Sequence, residues 1–166
     1  MTEITYNREK TVAYARKWAL GRNPRFYNFS GLGGDCANFA SQCIYEGIGV
    51  MNFAPVYGWY YRSIDDRAPA WTAVKYLYNF LTTNQKGAGP FAAQVGLEEI
   101  KPGDIIQIAT WLPDFHHTLV VLSVGAKPAP ENILIAAHSY DSLDRPLASY
   151  DAQKIRYLQI LGGRKP

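Results

Sequence analysis

Apolar residues recur at helical spacing in the first half of the chain and form strand-length runs in the second. Between about Tyr6 and Leu20, Val12, Ala15 and Ala19 share one face, and Tyr14 stands one turn before Trp18 to stack toward it. This predicts a helix ended by Gly21 and Asn23-Pro24. A loop from Arg25 closes in Gly31-Leu32-Gly33-Gly34. Cys36, Phe39, Ala40, Cys43, Ile44 and Gly47 then fall on one stripe, predicting a second helix that begins at Cys36 and stops at Gly47 and Gly49. Val50 to Arg67 reads as irregular. Pro69 opens a third helix, with Trp71, Val74, Tyr78 and Leu81 on its inner face. Gly87, Gly89 and Pro90 break the chain again.

After the turn Lys101-Pro102-Gly103-Asp104 come four apolar, β-branched stretches: Ile105–Ala109, Thr118–Val124, Asn132–Ala137 and Lys154–Ile160. Helices first and strands second, joined by short connections, predict an α+β fold with N-terminal helices packed on an antiparallel sheet.

A length of 166 residues fits one domain over 1–166, and a hydrophobic share of 48% excludes a disordered chain. Aromatics at 14% supply rings for a core, or for a groove that holds peptides or sugars. Trp59, Tyr60 and Tyr61 are candidates for such a wall. The net charge of +3 is small and scattered, which argues against nucleic acid as partner and leaves room for an anionic polymer such as a cell wall. Met1 to Lys17 lacks the apolar segment of a signal peptide, and no run is long enough to span a membrane. The expectation is a monomer, cytoplasmic by default, or of the cell envelope if the chain is one domain of a longer secreted protein.

The cysteines are Cys36 and Cys43. Within one helix their Cα atoms lie about 10 Å apart, too far for a disulfide. Three His and two Cys at these spacings match no zinc pattern, so neither metal nor cofactor is expected.

Cys36 stands out by position. Gly33-Gly34-Asp35-Cys36-Ala37-Asn38-Phe39 sets a thiol on the first turn of a helix, where unpaired N–H groups and the dipole favour negative charge. Such a site lowers a thiol pKa and offers donors to an oxyanion. Asp35, in the N-cap position, carries a charge that opposes a thiolate. Cys43, mid-helix among apolar neighbours, reads as a core residue.

A thiol nucleophile needs a base, and His116-His117 open the strand at Thr118. Strand alternation sends the two imidazoles to opposite faces, so one faces Cys36, and periodicity leaves open which. If Thr118–Val124 pairs with the following strand, His117 stands across from about residue 139. His138 and Asp141 lie in that window, and either can orient an imidazole.

These residues resemble a known group. Asp35-Cys36-Ala37-Asn38-Phe39-Ala40-Ser41-Gln42 is similar to the Asp-Cys-Ser-Gly-Phe motif of NlpC-type cell-wall peptidases. Pro102-Gly103-Asp104-Ile105-Ile106 resembles their Pro-Gly-Asp strand, and His117-Thr118-Leu119-Val120-Val121 their histidine strand. Ile135-Ala136-Ala137-His138 resembles the strand carrying their third polar residue. Together with Tyr14-Ala15 and His138-Ser139-Tyr140-Asp141, the string most resembles a bacterial putative amidase domain, a relative of the NlpC and CHAP families, over nearly the whole chain.

The resemblance implies a papain-like fold and a cysteine amidase or peptidase acting on a peptide or a peptidoglycan-like substrate. It makes Cys36 the nucleophile, His117 the base and His138 the orienting residue. It also suggests Tyr27, upstream of the cysteine, as a border of the site. Ala37-Asn38 stands where the motif has Ser-Gly, so Asn38 and Asp35 join the residues to locate around the thiol. Two rival readings are acyl transfer from the same thioester to an amine or lipid, and a wall- or peptide-binding module without turnover.

Overall fold

In the computed structural model, which describes residues 1–166, the chain runs through β1 (Thr2–Ile4), α1 (Arg8–Trp18), α2 (Cys36–Ile48), β2 (Tyr61–Ser63), β3 (Asp66–Arg67), α3 (Pro69–Thr72) and α4 (Val74–Thr83). It continues through β4 (Gly89–Val95), β5 (Ile105–Ala109), β6 (His117–Val124), β7 (Ile133–Ala137), β8 (Ser142–Pro146) and β9 (Lys154–Lys165). The architecture is α+β. Strands order as β1-β9-β5-β6-β7-β8, with β4 also on β9, and every named pairing is antiparallel. No helix is long and apolar enough to cross a membrane.

The strand sequences follow from burial on two faces. Ile105, Val120, Leu122, Ala136, Leu158 and Ile160 pack with the helices in the larger core. Ile106, Ile108, Leu119, Val121, Ile133 and Ile135 pack on the opposite face against Ile100 and Leu147. A strand covered on both sides reads as a continuous apolar run, which is how β5, β6 and β7 read in the sequence.

α1 starts at Asn7, whose side chain caps Lys10 N–H. Its buried positions are Thr11 and Ala15, followed by Ala19. Tyr14 forms no ring pair with Trp18; its hydroxyl meets Gln42 on α2 and Asn23. α2 is buried along nearly its whole length. It ends at Gly49, whose φ of 72° is the left-handed cap glycine accepts most readily.

Three expectations change. The helix read from Pro69 is two helices, because Ala73 is extended (φ −122°, ψ 129°). The break shifts the inner face of α4 to Leu77, Phe80 and Leu81, leaving Val74 and Tyr78 at its margin. β1 and β8 are short or polar strands at the two ends of the sheet order, where the apolar signal fades, and β4 opens on the Gly89-Pro90 that reads as a chain break. β9 extends to Lys165, since its second half pairs with both β1 and β4.

The Pro102-Gly103-Asp104 turn fastens helix to sheet. Buried Asp104 accepts from Lys101 N–H and Ile160 N–H, and Arg8 Nη1 lies 2.7 Å from its Oδ1. Burial nonetheless raises the Asp104 pKa, outweighing Arg8.

Candidate active site

The start of α2 is built around Asp35. It occupies the N-cap position, but its side chain caps nothing in the helix. The carboxylate turns inward, accepts from Phe29 N–H (2.8 Å) and Asn38 Nδ2 (2.9 Å), and meets His138 Nδ1 at 2.6 Å. Arg22 Nε lies 3.3 Å from the same carboxylate. Burial alone would raise the Asp35 pKa, but the bonds from His138, Asn38 and Phe29 lower it, so the group is ionised at neutral pH.

His138 is 1% exposed, stacked on Phe39 of α2 at 4.0 Å, and its Nε2 lies 2.8 Å from the Trp18 carbonyl. A carbonyl only accepts, so Nε2 carries a hydrogen. On the other side of the ring Nδ1 faces the ionised Asp35 carboxylate. His138 thus ties the end of α1, the start of α2 and the end of β7. It does not bond to His117. Asp141 does not either; it pairs at the surface with Arg22, at 2.8 and 3.0 Å.

Cys36 is 6% exposed and lines two cavities that meet at the thiol. The smaller, about 530 Å³, is bordered by His116, His117, Trp111, Tyr140, Arg145 and Tyr150. The larger, about 800 Å³, runs past Phe29, Tyr78 and Phe115. The Cys36 thiol donates to the His116 carbonyl at 3.9 Å.

Strict alternation does not separate the two histidines, because His116 precedes the strand: both line the smaller cavity with Cys36. Their rings differ. His116 Nε2 accepts from Thr110 N–H at 2.9 Å, and the ring stacks on Trp111 at 3.5 Å. His117 makes no ring hydrogen bond; all those of histidine rings belong to His116 and His138. Its nearest aromatic neighbour is Tyr150, edge-on at 5.8 Å.

The resting charge state departs from the helix-start expectation. Burial pushes the Cys36 thiol up; N–H groups of Thr118 and Ala37 pull it down, and the Asp35 charge adds to the rise. Burial, with the neighbouring His116 and Arg145, drives His117 down to about 4. Thiol and imidazole are therefore both neutral at pH 7. Cys36 alkylation by iodoacetamide should rise with pH through a midpoint above the free-thiol value of about 8.5, as followed by mass mapping. A plateau of fast reaction persisting to pH 6 would contradict a neutral pair. Cys43, 0% exposed, should react only in denaturant.

The aromatic wall also differs from expectation. Trp59 is fully buried and donates to Ser41 Oγ, drawn inward by its bridge to Asn52. Tyr61 packs on Phe26 and Trp71, and Tyr60 on Phe53. Tyr27 packs on Phe29 and, like the other three, lines neither cavity at Cys36. Asn38 is structural: it accepts from Trp71 Nε1 and donates to Tyr27 O and Asp35.

Tyr150 is the site residue with no signal in the sequence. Its ring faces His117, Arg145 stacks on it at 3.7 Å, and its buried hydroxyl has no hydrogen-bond partner. Ser142 and Arg145 lie near the hydroxyl, neither at bonding geometry. It enters from the 3-10 turn Leu147–Ser149, beyond any motif. No group of three or more His, Cys, Asp or Glu is placed to hold a metal.

A family model described as "Putative amidase domain" matches residues 5–161. A relative from Bacillus subtilis (strain 168), "Uncharacterized protein YhbB", is 32% identical over 141 residues, covering 82% of this chain and 42% of the relative. The chain spans less than half the length of that relative. No solved structure matches.

Proposed function

We propose, from the premise that this chain belongs to the putative amidase domain family, that it hydrolyses amide bonds through a thioester on Cys36, with His117 as general base and acid. The family supports amide hydrolysis; the cysteine mechanism is our reading. We further propose that residues 1–166 form one papain-like unit related to the NlpC and CHAP families, acting on peptides such as those of peptidoglycan. One observation carries this: a thiol on the first turn of a buried helix shares a cavity with an imidazole that has no other partner.

Because both groups rest neutral, proton transfer accompanies attack. His117 takes the thiol proton as Cys36 Sγ bonds to the amide carbon. The Cys36 N–H, unpaired within the helix, donates to the oxyanion with a neighbouring N–H. The C–N bond then breaks, and His117 gives its proton to the leaving amine. Water, deprotonated by His117, attacks the thioester; the C–S bond breaks and the proton returns to sulfur.

Incubation with a library of synthetic peptides and with peptidoglycan fragments, read by mass spectrometry, should reveal new amine and acid ends. Hydroxylamine should trap the acyl group from Cys36. His117→Ala should lower kcat by about 10²- to 10⁴-fold, whereas His116→Ala should act mainly through the lost stacking on Trp111. Equal losses in the two variants would remove the special role of His117.

Tyr150→Phe gives a separate check. The hydroxyl has no partner to lose, so stability should hold or rise slightly. If the hydroxyl bonds substrate or water, kcat/KM should fall by roughly tenfold with an unchanged urea midpoint.

A further inference from the structure

We propose that the larger cavity beside Cys36 is a carboxylate-binding site, and that the substrate is an acidic peptide whose carboxylates flank the scissile amide. This rests on the hydrolase reading for where the amide lies, and adds the chemistry of what surrounds it.

Arg67, Lys75, Lys154 and Arg156 line this cavity against the single acid Asp114. That excess of three positive charges equals the net charge of the whole chain. The rest of the protein is balanced, and its imbalance is gathered beside the thiol.

None of these cations has an acidic partner. Every ion pair in the structure lies elsewhere. Arg156 sits between the rings of Tyr78 at 3.6 Å and Phe115 at 4.0 Å. Its Nε and Nη2 both donate to Gln107 Oε1, at 2.9 and 2.6 Å, and Nη1 has no partner. Gln107 is itself fixed by Val74 O and Thr118 Oγ1. The guanidinium is thus held rigidly by neutral groups, and burial lowers its pKa. Arg67 is held likewise over Phe29 at 4.4 Å, with Nε donating to Thr72 Oγ1. Lys154 Nζ lies over Phe115 at 4.6 Å. A half-buried, preorganised cation without a counter-charge is costly to keep and is stabilised by an incoming anion.

The form of the anion follows from the walls. Arginine or lysine already lies over Phe29, Tyr78 and Phe115, so these rings serve to hold cations in place, which favours an anion that needs no stacking over a nucleobase. The thiol at the cavity's end requires a carbonyl carbon. Carboxylates beside an amide are what an acidic peptide offers.

The test uses the Cys36→Ala chain, so that binding is read without turnover. Fluorescein-labelled oligoglutamate and oligoglutamine peptides are compared by anisotropy at low and high salt. Oligoglutamate should bind at least about tenfold more tightly, with affinity falling as salt rises. Lys75→Gln and Lys154→Gln, which remove no protein hydrogen bond, should each weaken it severalfold, and Arg156→Gln more. Lys10→Gln, on the far cavity beside α1, should not. Equal binding of the two peptides, or indifference to the lysine variants, overturns the proposal. Tighter binding of an oligothymidylate or of inorganic polyphosphate overturns it in favour of a phosphate ligand. Selective binding without hydrolysis by the unmodified chain would sink the hydrolase reading alone. Hydrolysis without acidic preference would sink the present inference alone.

Discussion

Cys36→Ala should abolish the proposed amide hydrolysis, with kcat expected to fall by roughly 10⁶-fold, the scale on which a hydrolase loses rate when its covalent nucleophile is removed. The fold survives the change. The substitution removes one sulfur from a residue at the mouth of two cavities, which costs about 1 kcal/mol, as for a small core truncation. The Asp35 cluster that organises this helix start does not use the sulfur. Rate and urea midpoint should therefore separate: one lost, the other nearly unmoved. Residual turnover close to that of the parent would remove Cys36 from the mechanism. Cys43→Ala gives the contrasting result, with activity retained and stability reduced, because that sulfur is part of the larger core.

His138→Ala should produce the second largest effect, this time on stability. It deprives a buried carboxylate of its closest hydrogen-bonding partner, and removing one member of a buried pair costs about 3–5 kcal/mol. The low end, about 3 kcal/mol, is expected, since Asn38, Phe29 N–H and Arg22 still face Asp35. The stack on Phe39 and the bond to Trp18 O are lost as well. Acid titration separates this pair from generic packing. The folded Asp35 pKa lies below its unfolded value, so its contribution is complete above about pH 3.9 and disappears as pH falls through the folded value. The parent should show that acid loss of stability, and His138→Ala should show less of it. Urea midpoints of both proteins between pH 3 and 7 provide the measurement. Identical pH dependence would mean that the pair stores no such energy.

Much of the scaffold was legible because its signals are local. The α2 stripe beginning at Cys36 and the apolar runs of β5, β6 and β7 state their own burial. β6 pairs with β7 antiparallel, with Val120 across from Ala136, the register on which the window around residue 139 rests. What stayed hidden was three-dimensional. His138, just past the end of β7, stacks on Phe39 of α2 and meets Asp35, a contact between residues far apart in sequence. Asp35 looked like a helix cap because caps are chosen by type and position; its inward turn depends on a partner that no local pattern announces. Tyr150 arrives from a turn without a motif. Trp59-Tyr60-Tyr61 looked like a groove because rings in a loop suit a groove as well as a core, and only the bridge at Asn52 distinguishes the two.

The neutral resting state of Cys36 has a consequence for survival between turnovers. Peroxides and disulfides attack thiolates, and a sulfur kept protonated by burial presents little of that species at neutral pH. Under the proposed mechanism the thiol ionises only as it attacks a bound substrate, and it is then shielded from irreversible oxidation while it waits. An amidase built this way would keep its activity in oxidising surroundings that silence an enzyme with a permanent thiolate.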